Sequence, residues 1–167
     1  MKQAHHIPLS AEAAFTKVAA LCARSEQAPG DIRTKVLGWG VEPDEADGII
    51  RRLKAERYLD EERYARAFCH DKVQFNGWGR IKIAFMLKTK GIGATHIDNA
   101  LAEINEEEYS KMLEKLLKQK LADVRKKDYQ QAKASMVRYA ASRGFEPDKF
   151  YPIIDRLMSA TGFSEEE

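Results

Sequence analysis

The chain has 167 residues, of which 44% are apolar and 32% charged, and its net charge at pH 7 is +2. Such a composition can bury a core and keep a folded protein in solution, and a net charge this small does not by itself argue for nucleic-acid binding. The longest apolar run, Val18–Ala23, is far too short to cross a bilayer, and the opening MKQAHHIPLS lacks the apolar stretch of a secretory signal, so the expected compartment is the cytoplasm.

From the N-terminus, a flexible tail with His5 and His6 leads to a helix marked by Phe15, Val18 and Leu21. A Pro29-Gly30 turn follows, then a second helix with Ile32, Val36 and Leu37, which Gly40 ends. Glu42-Pro43-Asp44 opens a third, whose Ala46, Ile49, Ile50 and Leu53 recur at the spacing of one buried helical face. Asp60 is a good N-cap for the next helix, with Tyr64, Ala67 and Phe68 as its apolar face. An Asn76-Gly77 turn precedes a helix with Ile83, Met86 and Leu87; Gly91 stops it, and Ile97, Ala100, Leu101 and Ile104 mark the helix after. Asn105 with Glu108 has capping-box spacing ahead of Tyr109, Leu113, Leu116 and Leu117. A helix with Met136, Val137 and Ala140 ends at Gly144, and Glu146-Pro147-Asp148 opens the last, with Phe150, Ile153, Ile154 and Leu157. Pro152 falls inside that helix and is expected to kink it.

Aligning Gly40, Gly91 and Gly144 brings GVEPDEADGIIRRL, GIGATHIDNALAEI and GFEPDKFYPIIDRL into register. The expectation is an all-α fold of three tandem three-helix repeats in an elongated, curved array. Residues 1–58 form repeat one with the flexible tail, 59–104 repeat two, and 105–167 repeat three with an acidic tail at Glu165–Glu167.

Charge is unevenly spread. Residues 63–97 carry a net +6 and residues 111–143 a net +7, while acids cluster at Glu42–Asp47, Asp60–Glu62 and Glu106–Glu108, where the macrodipole at helix starts favours them. The basic stretches are either solvated helix faces or phosphate contacts. A helix, a glycine and a second helix is also the outline of a helix-turn-helix DNA reader, but Thr95, His96, Asp98, Asn99 and Glu103 suit a major groove poorly. The helix with Arg80, Lys82, Lys88 and Lys90 is the better candidate for phosphates, together with Lys126, Lys127, Lys133 and Arg138. Trp78, between two glycines, can meet a base or a partner surface, or plug a helical corner. GWGRIK lacks the spacing of a phosphate-binding loop, and His70 and His96 have no partners at motif spacing. Cys22 and Cys69 read as buried free thiols. No catalytic residue, cofactor or metal site is expected.

The stretches RYLDEERYARAF and NGWGRIKIAFMLKTKGI resemble the signature of the RecX family, bacterial regulators of the RecA recombinase. Leu59, Asp60, Arg63, Tyr64, Ala65, Gly77, Gly79, Ile81, Leu87, Lys90, Gly91 and Ile92 fill its places, with Arg80 where many members have proline. The resemblance is specific over repeat two. It implies tandem three-helix repeats and a non-enzymatic modulator that binds RecA and its filament on single-stranded DNA, touching DNA through phosphates; the repeat reading adds that the chain is monomeric. Family members commonly inhibit RecA's ATP hydrolysis and strand exchange, restraining recombinational DNA repair and the SOS response. The alternatives are a helical-repeat scaffold that binds protein without nucleic acid, and a stand-alone DNA binder.

Overall fold

The computed structural model describes residues 7–162. The expected tails, with His5 and His6 at one end and Glu165–Glu167 at the other, lie outside them. Among the described residues the fold has nine helices and no strand: α1 (Ala11–Arg24), α2 (Pro29–Gly38), α3 (Pro43–Ala55), α4 (Glu61–Gln74), α5 (Arg80–Thr89), α6 (Ala94–Ala102), α7 (Glu106–Val124), α8 (Tyr129–Ser142) and α9 (Pro147–Ala160). They fall into three successive groups of three, an all-α repeat array.

Local chemistry sets the boundaries. Asp60 accepts a hydrogen bond from the Arg63 N–H (3.0 Å) and Asn105 from the Glu108 N–H (3.0 Å), as their positions predict. Ser10 and Asp128 cap α1 and α8 in the same way, through the Ala13 and Gln131 N–H groups. Pro43 and Pro147 sit in the first turns of α3 and α9, where a missing N–H leaves nothing unpaired. The three aligned glycines are left-handed, with φ of 84°, 80° and 87° at Gly40, Gly91 and Gly144. Each forms the same stop. The glycine N–H donates to the carbonyl three residues back, and the next residue's N–H reaches five back: Val41 to Val36, Ile92 to Leu87, Phe145 to Ala140. Val41, Ile92 and Phe145 are all buried, so the backbone bond and an apolar contact close each helix together.

The chain divides into two compact units, one made of residues up to Ala67 together with Met86–Ala100, the other of Phe68–Phe85 together with residues from Leu101 onward. In the first, α1, α2 and α3 pack on one another around Phe15, Val18, Ile32, Val36, Ala46, Ile49 and Leu53. In the second, α7, α8 and α9 pack mutually, with Tyr109, Leu113, Leu117, Met136, Phe150 and Ile154 buried. At about 1.5–3 kcal/mol for each large apolar side chain buried, these faces dominate the stability of each unit.

The structure corrects the sequence in two places. Pro29-Gly30 is the first turn of α2 and not a separate turn, because Pro29 at the helix start needs no donor of its own. The buried stripe of α4 is Ala65, Cys69 and Val73, one step round from Tyr64, Ala67 and Phe68; Ala67 is exposed, and the two large rings flank the stripe half-buried. As the sequence places it, Pro152 lies inside α9, which runs to Ala160. Both Pro152 and Asp148, whose carbonyl the proline leaves without a donor, are exposed, so water can serve that carbonyl.

Candidate partner and nucleic-acid surface

The stretch around Gly77–Ile92 has an architectural task that its side chains conceal. In the second unit, the start of α5 lies against the glycine turn between α8 and α9: the Gly79 N–H donates to the Arg143 carbonyl (2.8 Å) and the Ile81 N–H to the Gly144 carbonyl (3.0 Å). A Cβ on Gly79 would collide with the Gly144 and Phe145 backbone, so only glycine permits this approach. The same device recurs in the first unit, where the Gly30 N–H at the start of α2 donates to the Lys90 carbonyl (2.8 Å) in the α5–α6 turn. It occurs a third time at Gly40, where the Leu9 N–H donates to the Trp39 carbonyl (3.0 Å). In all three the acceptor is the carbonyl just before the aligned glycine.

Two of the expected phosphate-binding cations reinforce these joints. Arg80 is only 16% exposed; its guanidinium pairs with Glu106 (2.6 Å) and Glu146 (3.2 Å) and lies over the Tyr109 ring. Tyr109 accepts from the Arg80 N–H (3.0 Å) and donates to Glu146 (2.6 Å); burial, and then that carboxylate acceptor, raise its phenol well above the usual range. Lys149, then Arg80, holds the Glu106 carboxyl below its ordinary value. Lys90, 23% exposed, pairs with Asp31 at 2.8 Å, and this hydrogen bond raises its own pKa. Arg80 and Lys90 are therefore held against carboxylates of the fold and are not part of a solvated cationic face.

The remaining site residues divide similarly. Lys82 and Lys72 both lie over the Trp78 ring, at 4.3 and 4.9 Å, and Phe68 meets the ring edge-on, so the half-buried indole is enclosed by its own neighbours. Lys88 is exposed on α5. In repeat three, Lys133 pairs with Asp155 (2.9 Å), which raises its pKa, whereas Lys126 is exposed and, among the described residues, Lys127 and Arg138 reach the Ser135 hydroxyl. Three large apolar side chains stand in solvent nearby in sequence: Phe75 (80% exposed), Ile81 (54%) and Phe85 (68%). Ile81 and Phe85 are four apart on α5 and share a face. No group of three potential metal-ligating side chains occurs among the described residues, and no helix there is long and apolar enough to cross a membrane.

The second three-helix domain of RecX matches residues 60–101. A regulatory protein RecX from Haemophilus influenzae is 26% identical over 147 residues, spanning 87% of this chain and 95% of its own. One from Clostridium perfringens is 29% identical over 131 residues, 77% of this chain and 61% of that one. Over most of its length the chain is similar to RecX proteins, and its middle third carries a RecX domain. Two solved structures share the fold. A crystal structure of regulatory protein RecX gives a TM-score of 0.78 at 19% identity, covering 87% of this chain and 71% of its own. A crystal structure of RecX from Lactobacillus salivarius gives 0.71 at 15%, covering 90% and 95%.

Within the RecX signature, then, Gly79 and Gly91 are read directly as backbone requirements, one for close approach and one for positive φ. Sequence reasoning missed the outward Ile81, Phe85 and Phe75, because an apolar residue in a helical pattern is assigned to the core by default. A heptad-like count on α5 contains the signal: with Ile83 and Leu87 inward, Ile81 and Phe85 fall on another side.

Proposed function

We propose that this protein is a non-enzymatic regulator that binds the RecA nucleoprotein filament and lowers RecA's ATP hydrolysis and strand exchange, restraining recombinational repair and the SOS response. It acts in the cytoplasm as a monomer, with residues 1–58, 59–104 and 105–167 as successive modules. The observation that carries this reading is similarity to proteins named regulatory protein RecX over 87% of the chain. Physical support comes from a row of repeats that can address a repeating filament, and from exposed cations outside the joints, Lys88 and Lys126, available to DNA phosphates.

The test is RecA's ATP hydrolysis on single-stranded DNA across a salt series, with the parent chain and a Lys88→Gln/Lys126→Gln variant. The parent is expected to slow hydrolysis. The variant is expected to need more protein for the same effect, with a logarithmic salt slope reduced by roughly 0.7 for each phosphate that is no longer neutralised. A parent that leaves hydrolysis unchanged at every concentration refutes the reading. The exposed Phe75, Ile81 and Phe85 favour a second reading, docking to protein with no nucleic acid involved. Binding to RecA without DNA, equal to binding of the filament, would select it.

A further inference from the structure

The outer face of α8 borders a groove of about 450 Å³, lined by Lys127, Gln130, Gln131, Ala134, Ser135 and Arg138. Gln131, Ala134, Ser135 and Arg138 follow the spacing of one helical face, and Lys127 reaches over the helix start to meet them. Ser135 is buried, and its hydroxyl accepts from Lys127 Nζ (3.2 Å) and from Arg138 Nη2 (3.3 Å). Neither cation forms an ion pair among the described residues. Elsewhere in the unit Arg80, Lys111, Lys118, Lys133, Lys149 and Arg156 face carboxylates, whereas these two converge on a hydroxyl. Asp128, next to Lys127, caps the Gln131 N–H, and Asp155 holds Lys133.

Two positive groups are thus drawn toward one neutral oxygen, an arrangement that their mutual repulsion opposes and that a bound anion would relieve. The chemistry fits a phosphate. Arg138 supplies a planar fork of donors, Lys127 a point charge, and Ser135 still has its hydroxyl proton to donate, with the Gln130 and Gln131 side chains at the edge. A groove along a helix face, in place of a closed pocket, lets a polymer pass through. Exposed Arg125 and Lys126 precede it in a stretch of net +7.

We propose that the Lys127–Ser135–Arg138 groove holds one backbone phosphate of a single DNA strand. The proposal rests on the reading that DNA reaches this protein's surface, and it is tested without RecA. Fluorescence anisotropy of a labelled oligothymidylate is measured with the full chain across a salt series. Lys127→Gln/Arg138→Gln is expected to lower affinity about tenfold or more and to reduce the logarithmic salt slope by about 0.7, the value for one phosphate of a single strand no longer neutralised. Lys35→Gln/Lys115→Gln removes the same charge from exposed positions outside the groove and is expected to cost about threefold or less. Ser135→Asp places a carboxylate between the cations and should weaken binding as much as the double variant, while Ser135→Ala, which keeps both charges, should bind within about threefold of the parent. Melting temperatures establish that each variant is folded. Equal losses in the two double variants would reduce the site to net charge and overturn the proposal, as would Ser135→Asp binding like Ser135→Ala. Inorganic phosphate and ATP are added as competitors. Displacement of the oligonucleotide by ATP at far lower concentration than by phosphate, with an unchanged salt slope in the groove variant, would assign a nucleotide site and overturn the single-strand proposal. Failure here with RecA inhibition intact removes the groove alone; groove binding without RecA inhibition removes only the proposed function.

Discussion

Replacing Gly30 by alanine provides a test in which helix propensity and tertiary structure predict opposite signs. Gly30 is the second residue of α2, and on propensity alone alanine should stabilise a helix by about 0.5–1 kcal/mol. The structure says otherwise. A Cβ there would sit 2.7 Å from the Lys90 carbonyl oxygen and 2.8 Å from its carbon, about 0.6 Å inside the ~3.3 Å at which carbon and carbonyl oxygen normally meet. Neither neighbour is a flexible side chain. The α2 start must move away, losing the Gly30–Lys90 hydrogen bond, about 0.5–1.5 kcal/mol, and straining the packing by about 1–3 kcal/mol. Any weakening of the part-exposed Lys90–Asp31 pair adds at most about 1 kcal/mol. Net of the propensity gain, Gly30→Ala is expected to destabilise by about 0.5–5 kcal/mol, which at roughly 2–4 °C per kcal/mol is a fall in melting temperature. Gly48→Ala is the control. It lies within α3 and its Cβ would meet only Arg51 Nη2 at 3.7 Å, ordinary contact, so the same substitution should raise stability by about 1 kcal/mol. Thermal and urea unfolding of both variants decide the matter. If Gly30→Ala is as stable as Gly48→Ala, the backbone joint is not close-packed and the account of all three joints fails.

Tyr109→Phe is expected to lose about 1–3 kcal/mol at neutral pH through its bonds to Arg80 and Glu146, measured by urea unfolding. Because the folded state raises the Tyr109 pKa, the contribution is full below the unfolded value near pH 10 and declines as pH rises toward the folded one; the parent should therefore lose stability above about pH 10 more steeply than the variant. Equal alkaline slopes would show that Tyr109 is not the titrating group. Burial pushes the Cys69 thiol up to about 11 and raises Cys22 as well, so neither should react promptly with a thiol reagent at pH 8, and both should react on denaturation. Rapid modification of Cys69 in the folded chain would contradict its placement in the α4 stripe.

Much of the fold was legible because its signals are local. A positive φ at Gly40, Gly91 and Gly144, a proline opening α3 and α9, and caps at Asp60 and Asn105 each follow from one or two residues and from backbone chemistry. The α4 face was misread because Tyr64 and Phe68, the largest rings, are half-buried flanks, while small Ala65 and Cys69 take the interior where space is least. The site was less legible, and the reason is pairing. Arg80 and Lys88 look alike in sequence, yet one is neutralised by Glu106 and Glu146, far along the chain, and the other stands in water. Ser135 gave no signal, since nothing in one sequence says that Lys127 and Arg138 converge on it.

The joint at the three glycine turns has an evolutionary consequence. Its bonds run from main-chain N–H to main-chain carbonyl, so its specificity resides in the shape of the turn and, at Gly91 and Gly144, in the glycine that approaches it, not in a lock of particular side chains. A gene segment encoding one helical triplet, if copied in tandem, would carry both halves of the connection with it, and the new copy would dock without any compensating change in its neighbours. Lineages could then lengthen the protein or let its outer surfaces drift toward new partners, while the joints stayed interchangeable.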